Sequence, residues 1–495
     1  MKILHIIQRL VKAGGAARSM LATAKYSSKL GDFQQSVVSL VSGERKAIEI
    51  TEEVGIKVIN KPDINAIKKE IQQTDIVHLH FWNNPHIYQL LRSELPAMRL
   101  LIKFHIGGDR PPHIITKKLI DYADFALTTS PYTYEQPIFQ NLPKKLREQK
   151  ASMIYGATDF ARLSGYEARP HETFNVGYIG TVSFVKMHPN YVAMNASINV
   201  PNVKFIVCGH GGENLRPQIQ SLEESSSSTE ESVAAKFDIR GYVENIKSVI
   251  EILDVFGYPL CENNYSTVEL VLQEVMYCGV PPVIFPYGGA QRTVIHNETG
   301  LIVNNELEYK QAIEYLYLFP EERKRLGLNA QKYARENFGG ENAAKATNHL
   351  YEKIMRFPKR KREWGIPIDL HLLNEPCNLG DLIEQTKQLS GAESFVESLG
   401  GKAPQFNTSM HSNDVEELLE ADKKISLSPP ILCRAGGGVF LYRDYYKEDG
   451  YLRFWCGLIL QQHEKHNEAI AEFTEAINLG CDNWRVYWYL AQSYL

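Results

Sequence analysis

Two stretches of the chain carry the residue types needed to hold a diphosphate. Backbone N–H groups and a helix N-terminus meet such a group best, because they bring positive potential without side-chain bulk. Gly14-Gly15 follow the strand-like run Ile3-Leu4-His5-Ile6-Ile7 and precede a helical pattern that starts near Ala16, so a ligand can approach the backbone there. Taken alone, the pair reads equally well as a tight strand-to-helix turn. Ser266-Thr267-Val268-Glu269 precede the helical run Leu270 to Met276, and the N–H groups just after Ser266 would face the same ligand. The Ser266-x-x-Glu269 spacing is also that of a capping box, in which the glutamate satisfies the first N–H groups of the helix. The chain contains no Asp-x-Asp pair, so no metal-bound diphosphate is expected.

These residues need elements to place them. Strands are predicted near 3–7, 36–40, 75–79, 100–105 and 125–129, and again near 174–179, 203–207, 236–239, 255–258 and 282–285, with helix-length segments between them. That rhythm implies an α/β chain of two Rossmann-like, doubly wound domains, 1–160 and 161–358, facing across a cleft. Ligands then bind beyond the carboxyl ends of the strands. Helical patterns at 306–317, 320–337 and 341–356 stop at Phe357-Pro358, since proline cannot continue a helix. His78 and His80 alternate within one strand. The pattern suggests packing for His78 and an acceptor-side position for His80.

Beyond Pro358, residues 359–449 read as an irregular connector or small extra domain, and the polar run Glu223 to Glu231 as a solvated loop. The basic run Arg356 to Arg362 reads as a solvated linker or a contact to anionic lipid. In 450–495 a 34-residue spacing relates Trp455 to Tyr489, Gly457 to Ala491 and Leu460 to Tyr494. With Ala469, Phe473 and Ala476 between them, the segment resembles tetratricopeptide helices, and it implies a mainly helical extension able to meet a protein partner.

A length of 495 residues exceeds one ordinary core, which also favours several domains. A net charge of −4 supplies no broad footprint for nucleic acid. The seven cysteines are odd in number and form no C-x-x-C pair, so they read as reduced thiols in a cytoplasmic protein.

One run is specific. Glu274-Val275-Met276-Tyr277-Cys278-Gly279-Val280-Pro281-Pro282-Val283 resembles the E-A-M-A-x-G-x-P-V signature of the family four retaining glycosyltransferases, which have the GT-B fold. Asp75 to His80, Ser130-Pro131, Ile154 to Asp159, Gly177 to Gly180, Gly209 to Gly212 and Thr299 to Val303 follow that family's order across about 1–356.

The resemblance implies roles. Glu274 matches the glutamate that accepts hydrogen bonds from the donor's ribose. Gly180 and Lys186 match the glycine and the cation at the diphosphate, where the cation offsets charge on the leaving group. His105 matches the histidine near the reacting sugar. Thr181 stands where the family commonly has arginine, so one diphosphate contact is missing or supplied elsewhere, with Arg18 or Arg292 as the cations expected to replace it. Ser266 stands where the family has a sugar-reading glutamate, for which Glu269 or Glu262 could substitute. Gly14, Gly15, Ser266 and Thr267 complete the expected donor site.

The resemblance implies a metal-independent, retaining hexosyltransferase with no cofactor. It would move a sugar from a nucleotide diphosphate donor to a glycan, lipid-linked or protein acceptor, in the cytoplasm or peripherally at the inner membrane face. Thr181 and Ser266 motivate an alternative, a catalytically weakened scaffold acting through its helical tail. A sugar-nucleotide epimerase of the same fold is a further alternative.

Overall fold

The computed structural model describes residues 1–225, 232–365 and 389–495. Residues 226–231 of the polar run and 366–388 of the 359–449 segment lie outside these residues.

The first sheet contains β1 (Lys2–Ile7), β2 (Gln34–Ser39), β3 (Lys57–Asn60), β4 (Ile76–Phe81) and β5 (Leu100–Phe104). A small hairpin follows, β6 (Asp109–Arg110) with β7 (His113–Ile114), before β8 (Phe125–Thr128) and β9 (Ala151–Met153) return to the sheet. Its order is β3-β2-β1-β4-β5-β8-β9, and every pairing is parallel. The second sheet contains β10 (Phe174–Ile179), β11 (Val203–Cys208), β12 (Phe237–Gly241), β13 (Val255–Tyr258), β14 (Pro282–Ile284) and β15 (Leu301–Ile302), in the order β12-β11-β10-β13-β14-β15. Helices cover both faces of each sheet, so β4, β5, β8, β10 and β13 are buried throughout and mainly apolar, interrupted by His78 and His80 in β4, Lys103 in β5 and Asn175 in β10. The expected strand series lacks β3, β9 and β15. These are short edge strands without a run of buried apolar residues.

The two domains face each other across a cleft, and the chain crosses it once more. Helix Gly340–Ile354, expected to close the second domain, packs instead on helix Gly15–Leu30 of the first. Its Leu350, Tyr351 and Ile354 share a core with Ile3, Ile76 and Leu101. The basic run stays on the first domain. Arg360 and Arg362 both pair with Asp124, Lys359 donates to the Thr74 carbonyl, and Lys361 meets Glu94. Arg362 is buried, and Trp364 joins the first domain's core. The run is thus fixed to the first domain through Arg360 and Arg362 instead of forming a free linker, while Arg356, Lys359, Arg360 and Lys361 stay exposed.

The remainder is helical and is not divided at residue 449. Helices Gly391–Ser398, Pro404–His411, Val415–Ser426, Pro430–Arg434, Val439–Tyr445, Gly450–Gln462, His466–Asn478 and Trp484–Tyr494 surround one core containing Phe395, Phe406, Tyr442, Trp455 and Phe473. From Gly391 onward the segment read as irregular is thus mainly helix, with short elements whose apolar residues pack between helices distant in sequence. The domain rests on the first one: Glu397 accepts from Arg92, Lys118 and Trp364, and the Tyr442 hydroxyl donates to Asn83 Oδ1 at 2.9 Å. Among the described residues, no helix is long and apolar enough to cross a membrane.

Candidate active site

A cavity of about 690 Å³ lies between the two Rossmann-like domains, at the carboxyl ends of their central strands. It is lined by Gly14, Gly15, His105, Gly180, Lys186, Ser266, Thr267, Glu269 and Glu274, so the structure brings these nine sequence-selected residues together. Arg18 and Thr181 also line it. Backbone spacing beneath the second domain's half is tight. A Cβ on Gly209, whose φ is +149°, would lie 1.7 Å from the Gly180 carbonyl oxygen, and one on Gly289 would lie 1.5 Å from that of Thr267.

Helix Leu270–Tyr277 starts later than the capping-box reading places it. Glu269 is its N-cap and makes no side-chain cap bond. Its carboxylate instead accepts from Lys186 Nζ at 2.8 Å and from the Tyr258 hydroxyl at 2.7 Å. A buried ammonium offers a carboxylate more than a helix N–H does, which explains the difference. Burial by itself would raise the Glu269 pKa, but the Lys186 charge and these hydrogen bonds hold it below the ordinary carboxylate value. Burial by itself would lower that of Lys186, and the Glu269 charge raises it. Both groups are therefore ionised at neutral pH.

One turn further on, Glu274 is 1 % exposed and faces two guanidinium groups. It pairs with Arg18 from the first domain and with Arg162 at 3.3 Å, while the Thr158 hydroxyl donates to it at 3.4 Å. Burial lowers the Arg162 pKa, against the Glu274 charge. Arg162 also lines the cavity and was not singled out from sequence, since an arginine after a loop has no local signature. Arg292, the other expected cation, pairs with Glu135 and does not line the cavity. Glu262 is exposed and lies outside it. Glu269 and not Glu262 is the carboxylate beside the helix front.

The domains are clasped next to this site. The Thr267 hydroxyl lies 3.2, 3.0 and 2.8 Å from those of Thr129, Ser130 and Thr133 across the cleft, and Gln273 Nε2 donates to the Gly156 carbonyl at 2.7 Å. Trp82 and Tyr265 line the cavity, with ring centroids 5.8 Å apart.

His105, directly after β5, is 5 % exposed and lines the cavity. His80 does not reach the cleft, contrary to the acceptor-side reading: it lies behind His105, its Nδ1 2.9 Å from His105 Nε2. Its buried position on the sheet face gives it ring partners in place of ligand. His78 is also buried, with Nδ1 2.7 Å from the Tyr351 hydroxyl. Ring nitrogens of His5, His78 and His80 lie within 4.8 Å of one another, a spacing that would suit a metal. His5 Nδ1 and His80 Nε2, however, are bonded to each other at 2.9 Å, and Lys103 is buried on the same face, opposite His80.

Two facing Rossmann-like domains with an interdomain cavity define the GT-B architecture. Residues 161–333 match the family Glycosyl transferases group 1. The chain is 21 % identical over 316 residues to the D-inositol 3-phosphate glycosyltransferase of Corynebacterium urealyticum, covering 58 % of this chain and 73 % of that protein. It is 21 % identical over 316 residues to spore coat protein SA of Bacillus subtilis, covering 58 % of this chain and 81 % of that one. The crystal structure of Anabaena Alr3699/HepE in complex with UDP superposes with a TM-score of 0.55 at 18 % identity, covering 71 % of this chain and all 100 % of that one, a likeness of fold. The chain has the GT-B fold, and the stretch that matches the glycosyl transferases group 1 model lies in its second domain.

Proposed function

We propose that this chain is a retaining hexosyltransferase that takes its sugar from a nucleotide diphosphate donor without a metal ion and passes it to a glycan, lipid-linked or protein acceptor. The observation that carries the reading is the convergence of Lys186, Arg18, Arg162 and the front of helix Leu270–Tyr277 on one cavity that also holds Glu274. Glu274 accepts the ribose hydroxyls, and the helix front with Lys186 faces the diphosphate. Arg18 and Arg162 supply the positive charge that an arginine at position 181 would bring. These fixed charges stabilise the departing nucleotide diphosphate where a metal would otherwise do so. Alr3699/HepE has been crystallised with UDP and with UDP-glucose, which makes uridine diphosphate sugars the first donors to try.

One observation favours a weakened enzyme: the Lys186 charge is already matched by Glu269 at 2.8 Å. The two readings separate in one experiment. Thermal midpoints are measured with UDP, GDP, ADP and their common sugar conjugates, followed by assay of nucleotide release from the conjugate that stabilises most. A shift with slow release to water supports the transferase. A shift without release, or no shift with any nucleotide, supports the scaffold. The helical domain exposes Trp484, Tyr487 and Trp488 on its last helix, and we assign to it the contact with a protein partner.

A further inference from the structure

Beneath the cleft, a line of buried side chains joins the crossing-back helix to His105. Asn348 Nδ2 donates to the Ser27 carbonyl at 3.3 Å, and the Ser27 hydroxyl donates to Asn348 Oδ1. Gln35 Nε2 lies 2.9 Å from Ser27 Oγ, and Gln35 Oε1 lies 2.7 Å from His5 Nε2. His5 Nδ1 is 2.9 Å from His80 Nε2, and His80 Nδ1 is 2.9 Å from His105 Nε2.

The polarity of this line follows from its far end. A backbone carbonyl can only accept, so Asn348 must turn its amide NH₂ toward Ser27 O and its oxygen toward the Ser27 hydroxyl. That hydroxyl then has only lone pairs left for Gln35, which turns its NH₂ to Ser27 and its oxygen to His5. His5 must therefore carry its proton on Nε2. A neutral His5 accepts at Nδ1, so His80 is protonated on Nε2, and by the same step so is His105. Reversing every link would set Asn348 Oδ1 against the Ser27 carbonyl oxygen, two acceptors with no proton between them.

We propose that Asn348, Gln35, His5 and His80 are positioning residues that hold His105 as the neutral Nε2–H tautomer, with the Nδ1 lone pair presented to the cleft. His105 then accepts a hydrogen bond from a hydroxyl of the transferred sugar instead of donating one. That last assignment rests on the transferase reading above, whereas the tautomer does not.

The surroundings oppose a proton anywhere on the line. His5, His78, His80 and His105 are all buried, and Lys103 from β5 adds its charge to the same face. Tyr351 from helix Gly340–Ile354 is a further titratable group against these rings and meets His78. Burial, with Lys103 adding to it, lowers the His5 pKa to about 4 and those of His80 and His105 well below the ordinary value. Gln35 cannot take up a proton passed down the line, so the line is a fixed support and not a conduit.

The test is long-range ¹H–¹⁵N correlation on the full chain labelled with ¹⁵N-histidine, with His105 assigned from the spectrum of His105→Gln. The expected result at pH 7 is a single His105 species, protonated at Nε2 and unprotonated at Nδ1. Protonation at Nδ1, or a mixture of tautomers, overturns the proposal. Asn348→Leu removes the anchor and should produce two tautomers of His105 without loss of the folded spectrum; one unchanged tautomer in that variant also overturns it. Gln35→Glu, which keeps the acceptor and adds a charge, should bring a His5 titration up into the range above pH 5, with the His105 tautomer unchanged at pH values above that titration. If the tautomer is as expected but no nucleotide-sugar shifts the Nδ1 resonance, the transferase reading fails and the relay stands.

Discussion

Arg18 of the first domain and Glu274 of the second form an ion pair across the cleft, and Arg162 lies 3.3 Å from the same carboxylate oxygen. The pair links domain closure to the group assigned to the donor's ribose. Glu274→Gln keeps the shape and removes the charge. A hydrogen bond to a charged group contributes about 1.5–3 kcal/mol, so nucleotide binding should weaken roughly 10- to 100-fold. Calorimetric titration with UDP measures this, and an unchanged affinity means the ribose contact is wrong.

Lys186 and Glu269 form a pair whose side chains are 13 % and 10 % exposed. Breaking it from one side should cost more than removing it. Lys186→Met leaves a buried carboxylate unmatched and should lose about 3–5 kcal/mol of stability. The double variant Lys186→Met/Glu269→Leu should recover most of that loss in urea unfolding. Both variants should lose about 100-fold or more in the rate of sugar transfer, since the cation at the leaving group is gone. Equal stabilities for the single and double variants would contradict the pairing.

The buried histidines make stability depend on pH in one direction. Burial lowers the pKa of His5 to about 4 and of His113 to about 3, with His78, His80 and His105 also well below the ordinary 6.5. The unfolded chain therefore binds more protons than the folded one below pH ~6.5. The histidines' contribution should be level above that value and fall as the pH drops toward 4, by up to about 1.4 kcal/mol per pH unit for each histidine that must stay neutral. Both His113 ring nitrogens lack partners among the described residues, so His113→Phe should flatten the slope measured by urea midpoints between pH 7 and 5. A slope as steep as that of the parent would rule out its share.

In the helical domain, Arg485 and Asp422 are paired at 2.6 Å and both are 0 % exposed. Burial raises the Asp422 pKa to about 6, against the Arg485 charge. Arg485→Met should destabilise this domain by about 3–5 kcal/mol and speed amide exchange in helices Val415–Ser426 and Trp484–Tyr494. Nucleotide binding in the distant cleft should be unchanged. A parallel loss of binding would show that the domain also supports the donor site.

Much of this was legible in the residues themselves. Runs such as Ile76 to Phe81 and Phe174 to Ile179 are buried on both faces, so their composition alone marks central parallel strands. The ordered motifs bring Gly14, Gly15, Gly180, Lys186 and Glu274 to one cavity because loops after parallel strands all open at the same sheet edge. What the chain order could not decide is which partner wins when several are within reach. Ser266 and Glu269 have the spacing of a capping box, yet a lysine 83 positions away takes the carboxylate, since a buried charge needs its opposite more than a helix end needs a cap. Likewise nothing local says that helix Gly340–Ile354 returns to the first domain, or that Asn348 on it sets the polarity of a line ending at His105. Local pattern depends on neighbours a few residues apart, and these contacts depend on the path of the whole chain.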